Sequence, residues 1–204
     1  MIGPLCVITD ADAPLPIPEQ AEAAARGGAD LVQLRHKGLD DGVFAELARA
    51  IMARIAPLGA RLVVNDRVAV ACTIGAHGLH IGQSDGAPRA ARALIGPEML
   101  LGLSIETPEQ VHDVPEACVD YLGVGPIRAT PSKPDHAPPM GFAGLAAVTA
   151  ATPLPCMAIG GLGAGDIEAL RTAGAAGLAV VSAVIRSCEP EGATRALLEA
   201  WRRT

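Results

Sequence analysis

Apolar residues in this chain come in short blocks that recur between longer stretches of mixed polarity. Blocks lie at 5–9, 30–34, 61–64, 78–81, 99–103, 119–124, 156–159 and 177–181. Each is rich in Val, Leu and Ile, and each ends in Gly or in polar residues. That pattern predicts eight buried strands. Between them the apolar spacing changes to that of helices. Pro18 can open a helix that Gly27 and Gly28 close. A second helix is expected over 41–56, with Asp41 as N-cap and Phe44, Leu47, Ala48 and Ile51 on one face. Further helices are expected over 68–75, 88–95, 107–114, 142–151, 165–173 and 191–203. Strands that alternate with helices imply parallel pairing with right-handed crossovers. Eight such units in 204 residues predict an α/β fold of the closed (β/α)8 TIM-barrel type, a single domain over 1–204. An open doubly wound sheet is the alternative.

In such a barrel, the residues that follow the strands share one mouth. The second strand runs into Arg35, His36, Lys37 and Gly38, a planar donor fork and a mobile point charge suited to phosphate or diphosphate. The third gives Asn65 and Asp66, the fourth Gln83 and Asp85, the fifth Ser104. Two carboxylates on adjacent strands suit Mg²⁺, which takes one or two of them and completes its shell with phosphate oxygens and water. The sixth strand opens a long Pro-rich loop with Thr130, Ser132 and Lys133, and Lys133 is placed to reach a diphosphate. Gly160 and Gly161 follow the seventh strand and Ser182 the eighth, the usual phosphate position of a barrel. The mouth is therefore expected to hold two anion sites, one Mg²⁺-assisted. His77 and His80 are three apart on a strand, so they face opposite ways and are not read as a metal pair. Asp10 and Asp12 read as turn residues, and His136 receives no role.

Composition narrows the picture further. Half the residues are hydrophobic, yet there is one Trp, one Tyr and two Phe, so the core must be aliphatic. Net charge is −6 and no basic stripe with interleaved aromatics occurs, which argues against nucleic acid as a partner. An anionic substrate remains compatible, because a local cationic pocket decides binding. The five cysteines form no C-x-x-C pair and read as reduced thiols. No signal-peptide pattern or membrane-length apolar run is seen, so a cytoplasmic protein without a membrane partner is expected. A homo-oligomer is left open.

The motifs LCVITD, VQLRHK, LVVNDRVAVA, GLHIGQSD, GLSIETPEQ, DYLGVGPIRATPSK, MAIGGL and GLAVVSA, in this order, resemble the thiamine phosphate synthase family over nearly the whole chain. The resemblance implies a (β/α)8 barrel. It also implies a transferase that joins hydroxymethylpyrimidine diphosphate to thiazole phosphate, releasing diphosphate by a dissociative route. By motif, Gln33, Leu34, Arg35, His36, Lys37, Asn65, Ser104 and Lys133 correspond to the pyrimidine diphosphate contacts. Arg35, Lys37, Ser104 and Lys133 are the catalytic candidates among them. Thr130, Pro131, Ser132, Gly161, Val181 and Ser182 correspond to the thiazole phosphate site, and Asp66 and Asp85 to the Mg²⁺ ligands. The chain departs from the family at Arg128, which replaces an aromatic residue, at Ala129, which replaces Pro, and at Ser132, which replaces Thr. Glu106 stands where the family often has His. The sister family of thiazole tautomerases uses a His in isomerisation and lacks the full diphosphate clamp, so Glu106 and the complete clamp favour the synthase. A non-catalytic binder of thiamine precursors is the third alternative.

Overall fold

The computed structural model describes residues 2–133 and 136–203. Its strands are β1 (Leu5–Ile8), β2 (Leu31–Leu34), β3 (Arg61–Asn65), β4 (Gly78–Ile81), β5 (Leu100–Ile105), β6 (Tyr121–Val124), β7 (Cys156–Ile159) and β8 (Gly177–Val180). They pair in parallel with their sequence neighbours, and β8 returns to β1, which closes the barrel. The open doubly wound sheet is thereby excluded. The helices are α1 (Ile17–Arg26), α2 (Asp41–Ile55), α3 (Val68–Ile74), α4 (Pro88–Ile95), α5 (Gly141–Ala151), α6 (Ile167–Thr172), α7 (Ser182–Ile185) and α8 (Pro190–Arg203). Among the described residues, no helix is long and apolar enough to cross a membrane.

Three local expectations are corrected. The stretch after β5 forms a 3-10 helix, Pro108–Asp113, instead of an α-helix. Val114 precedes Pro115 and is extended (φ −69°, ψ 122°), which stops the helix before an α-helix can propagate. The N-cap of α2 is Asp40, whose side chain accepts the Val43 N–H at 3.0 Å. Asp41 is thereby free to pair with Arg67. Finally, β5 extends through Ser104, so that residue sits on the strand and not after it.

Side chains alternate along each strand. One set, with Val7, Val32, Leu34, Leu62, Leu79 and Leu122, packs outward under helix residues such as Phe44, Ile51 and Ile55. The other fills the barrel: Cys6, Ile8, Leu31, Val63, Tyr121, Met157 and Ala179. On β5 and β6 the inward positions Gly102 and Gly123 carry no side chain. A Cβ at Gly102 would lie 2.2 Å from Tyr121 Cζ and 2.4 Å from His80 Nδ1. A Cβ at Gly123 would lie 2.8 Å from His80 Cε1. Two aromatic rings thus occupy space that the glycines leave empty. Gly102→Ala is expected to destabilise the fold by about 1–3 kcal/mol, because two buried rings on fixed strands would have to move. The check is the urea midpoint, and an unchanged midpoint would show that the rings yield at no cost.

Candidate active site

The C-terminal ends of the strands surround a cavity of about 700 Å³ that reaches down to Cys6, Tyr121 and Met157. Nearly all the residues singled out in the sequence line it: Gln33, Arg35, His36, Lys37, Asn65, Asp66, Asp85, Ser104, Thr130, Ser132, Lys133, Gly160, Gly161, Val181 and Ser182. Two do not. Leu34 is fully buried in the outer layer, because it is one step out of phase with inward-facing Gln33. Pro131 is exposed and lies outside the cavity lining.

The end of β2 is fixed by its neighbour β1. The Thr9 N–H donates to the Gln33 carbonyl at 3.0 Å, and Thr9 Oγ1 accepts the Arg35 N–H at 3.1 Å. The loop that carries Lys37 is held from another strand end. Arg67 donates to the His36 carbonyl at 3.1 Å and to the Leu39 carbonyl at 2.6 Å, pairs with Asp41, and lies 4.5 Å over the Phe44 ring. Nothing local to Arg67 in the sequence points back to residues 36–41.

Asp66 has φ 57°, the left-handed region that Asp tolerates better than most side chains. Its N–H donates to the His80 carbonyl at 2.9 Å, and Asn65 Nδ2 donates to its Oδ2 at 2.8 Å. Burial first, and then the Asp85 carboxylate, raise its pKa, opposed by Arg67, Lys37 and Arg35. Asp85 accepts the Gly82 N–H at 2.7 Å. A half-buried carboxylate whose ionisation is opposed by a second one beside it forms, with that second one, a donor set suited to a divalent cation. No group of three or more His, Cys, Asp or Glu side chains is gathered among the described residues. A pair of acids completed by substrate oxygens is the donor set expected for Mg²⁺ rather than a dedicated cage.

His80 points inward, as strand alternation requires. Its Nδ1 lies 3.1 Å from Tyr121 Oη and its Nε2 3.0 Å from Ser104 Oγ. Burial pushes its pKa down to about 4, so the ring is neutral. His77 faces away, and its Nδ1 accepts the Leu62 N–H at 3.3 Å. The pair is therefore split between two sides.

Across the mouth, Lys133 Nζ is 2.7 Å from Glu106 Oε1. His136 shapes the same loop by accepting the Thr130 N–H at 3.3 Å, and Thr130 Oγ1 accepts the Ser132 N–H at 3.3 Å. Arg128 does not line the cavity. It pairs with Asp166 at 2.7 Å and lies 5.2 Å over Phe142. Gly160 and Gly161 have φ of 103° and 63°, which explains glycine at both. Ser182 begins α7, a short helix missing from the sequence reading because four residues show no helical periodicity. Asp10 is more than a turn residue. It pairs with Arg186 at 2.8 Å, while the fully buried Gln20 accepts its N–H at 2.9 Å and donates to its carbonyl at 2.8 Å.

Comparison with known proteins shows the family and the fold. The model of the family described as thiamine monophosphate synthase matches residues 5–184. A thiamine-phosphate synthase of Albidiferax ferrireducens is 48% identical over 82% of this chain and 77% of its own. One from a Roseiflexus species is 41% identical over 96% of this chain and 84% of its own. The solved structure of a thiamine phosphate pyrophosphorylase from Pyrococcus furiosus superposes with a TM-score of 0.88. It is 28% identical, over 98% of this chain and 96% of its own.

Proposed function

The chain belongs to the thiamine monophosphate synthase family, and from that membership we propose how its mouth performs the reaction. Its activity is thiamine phosphate synthesis, a transferase reaction. The observation that carries the residue assignment is a convergence at one cavity. Arg35, Lys37, Lys133, the carboxylates of Asp66 and Asp85, and the glycine exits of β7 all line it, and Lys37 and Arg35 are close enough to favour the charged form of Asp66.

In this reading the diphosphate of hydroxymethylpyrimidine diphosphate lies among the three cations. Gln33, Asn65 and Ser104 hold the pyrimidine. Asp66 and Asp85 would hold Mg²⁺, which supplies positive charge against the leaving diphosphate. Thr130, Ser132, Gly161 and Ser182, with the Val181 backbone, take the phosphate of the thiazole. The bond between the pyrimidine methylene carbon and the diphosphate oxygen breaks, and its electron pair leaves with diphosphate. The thiazole nitrogen then gives its lone pair to the methylene cation and becomes the ring nitrogen of thiazolium. No protein nucleophile is needed, so the cavity's work is orientation and charge stabilisation. Glu106 in place of a His, and relatives named as synthases, leave the tautomerase and the binder without support. The five free thiols suit a reducing compartment, which supports the cytoplasm.

The test supplies both substrates with Mg²⁺ and measures diphosphate and thiamine phosphate together. Equal amounts of the two are expected. Isomerisation of the thiazole phosphate without diphosphate release would restore the tautomerase reading. Binding of both substrates by folded protein with no turnover would restore the binder.

A further inference from the structure

Beneath the mouth, β4, β5 and β6 carry a chain of three polar side chains, Tyr121, His80 and Ser104. Its contacts are ordinary in length, 3.1 Å and 3.0 Å, but its setting is unusual for this chain. The core is aliphatic, and the only tyrosine in the sequence is placed here, 3% exposed. The inward positions that would collide with the two rings are Gly102 and Gly123. Neighbouring strands have thus been emptied to accommodate a polar pair where branched side chains ordinarily fill a barrel. The Tyr121 and His80 rings are 5.5 Å apart and tilted by 40°, fixed by packing as well as by the hydrogen bond.

A neutral imidazole has one donor nitrogen and one acceptor nitrogen. The chain therefore has two directions, and they present different faces of Ser104 to the cavity. If His80 Nδ1 carries the proton, it donates to Tyr121, Nε2 accepts the Ser104 proton, and Ser104 meets a ligand as an acceptor. If Nε2 carries it, Tyr121 donates to Nδ1, Nε2–H donates to Ser104 Oγ, and the serine proton points into the cavity. The hydroxyl of Tyr121 has His80 Nδ1 as its one hydrogen-bond partner among the described residues. Only the second direction gives that nearly buried O–H a protein acceptor.

We propose that Tyr121 and His80 are positioning residues that lock Ser104 as a hydrogen-bond donor, so that the cavity selects a substrate heterocycle presenting a ring-nitrogen acceptor to β5. This rests on the reading that Ser104 touches the pyrimidine, and it adds the polarity of that contact and its source. An acceptor held by one fixed donor also fixes the ring's rotation, and with it the direction in which the reacting methylene faces.

Two measurements test it. Nitrogen NMR of His80 in the wild-type protein without substrate should show the Nε2–H tautomer, and an Nδ1–H signal would overturn the proposal. Tyr121→Phe keeps the ring in its slot and removes the donated proton. It should raise KM for the pyrimidine diphosphate about tenfold and leave KM for the thiazole phosphate unchanged. In a Ser104→Ala background the same substitution should have no further effect, since Tyr121 acts through Ser104. Additive losses, or equal rises in both KM values, would mean a structural role only and would sink the proposal. If Tyr121→Phe fails to fold, the tautomer alone decides. If the wild type forms no thiamine phosphate, the proposed function fails, and the NMR result still separates the two conclusions.

Discussion

Replacing Asp66 by Asn should lower thiamine phosphate formation by about a hundredfold or more, at every Mg²⁺ concentration tried. The choice of Asn matters. Asp66 has φ 57°, and Ala in that conformation would add backbone strain to the loss of charge. Asn visits the same region routinely and keeps the side chain's shape. A collapse in Asp66→Asn therefore reports the charge. Two consequences separate a metal ligand from a merely structural acid. Wild-type activity should rise with Mg²⁺ and saturate, whereas the variant should respond weakly. The variant should also unfold close to wild type, because burial and Asp85 already oppose ionisation of the Asp66 carboxyl. Removing a charge that the fold resists costs the fold little. Full activity in a Mg²⁺-independent variant would exclude the carboxylate pair from the reaction.

The barrel was legible in the sequence because each strand is a short, almost uninterrupted aliphatic block. In a parallel sheet covered on both faces, burial requires such blocks. The positions of the cations, acids and glycines followed from topology alone, since strand ends share a mouth once the barrel closes. What stayed hidden are contacts between distant segments. Asp10 and Arg186 meet across 176 residues, and Gln20 reaches back to the same loop. Arg67 braces residues 36–41 through carbonyls that carry no sequence signature. The polar chain at the floor of the cavity is hidden from the sequence for a related reason. Alternation places His80 inward, but only the strand register brings it between Tyr121 and Ser104, which lie on two other strands. Gly102 and Gly123 carried the missing signal. Glycine inside a strand marks close approach by something else, here the His80 and Tyr121 rings. The helical differences are local: Pro115 stops one element as a 3-10 helix, and α7 is too short to leave a periodic trace.

Lys133→Ala should lower kcat by about a hundredfold to a thousandfold, the cost of removing one preorganised donor from a developing anion. Part of that loss comes from Glu106, the carboxylate that Lys133 leaves behind. Lys133 is paired with Glu106, and both line the cavity. The two side chains are 41% and 27% exposed, so the pair is a weak one, worth about 0–1 kcal/mol. A diphosphate carries more charge than a carboxylate and draws Lys133 away from such a partner readily. In Lys133→Ala, Glu106 is left as an unpaired negative charge beside the leaving group. Glu106→Ala in that background should therefore recover about tenfold, because it removes repulsion at close range. Alone, Glu106→Ala should lower KM for the pyrimidine diphosphate a few-fold and change kcat little, since Lys133 no longer has to be taken from it. Steady-state kinetics of the four proteins form a closed cycle. Independent effects would give the double variant the product of the two single ones, and would mean that Glu106 does not act through Lys133. Loss of turnover in Glu106→Ala alone would give the carboxylate a direct part in the chemistry. The expected pattern, a harmful single variant partly repaired by a second, makes Glu106 the residue that holds Lys133 at the mouth and gives it up to diphosphate.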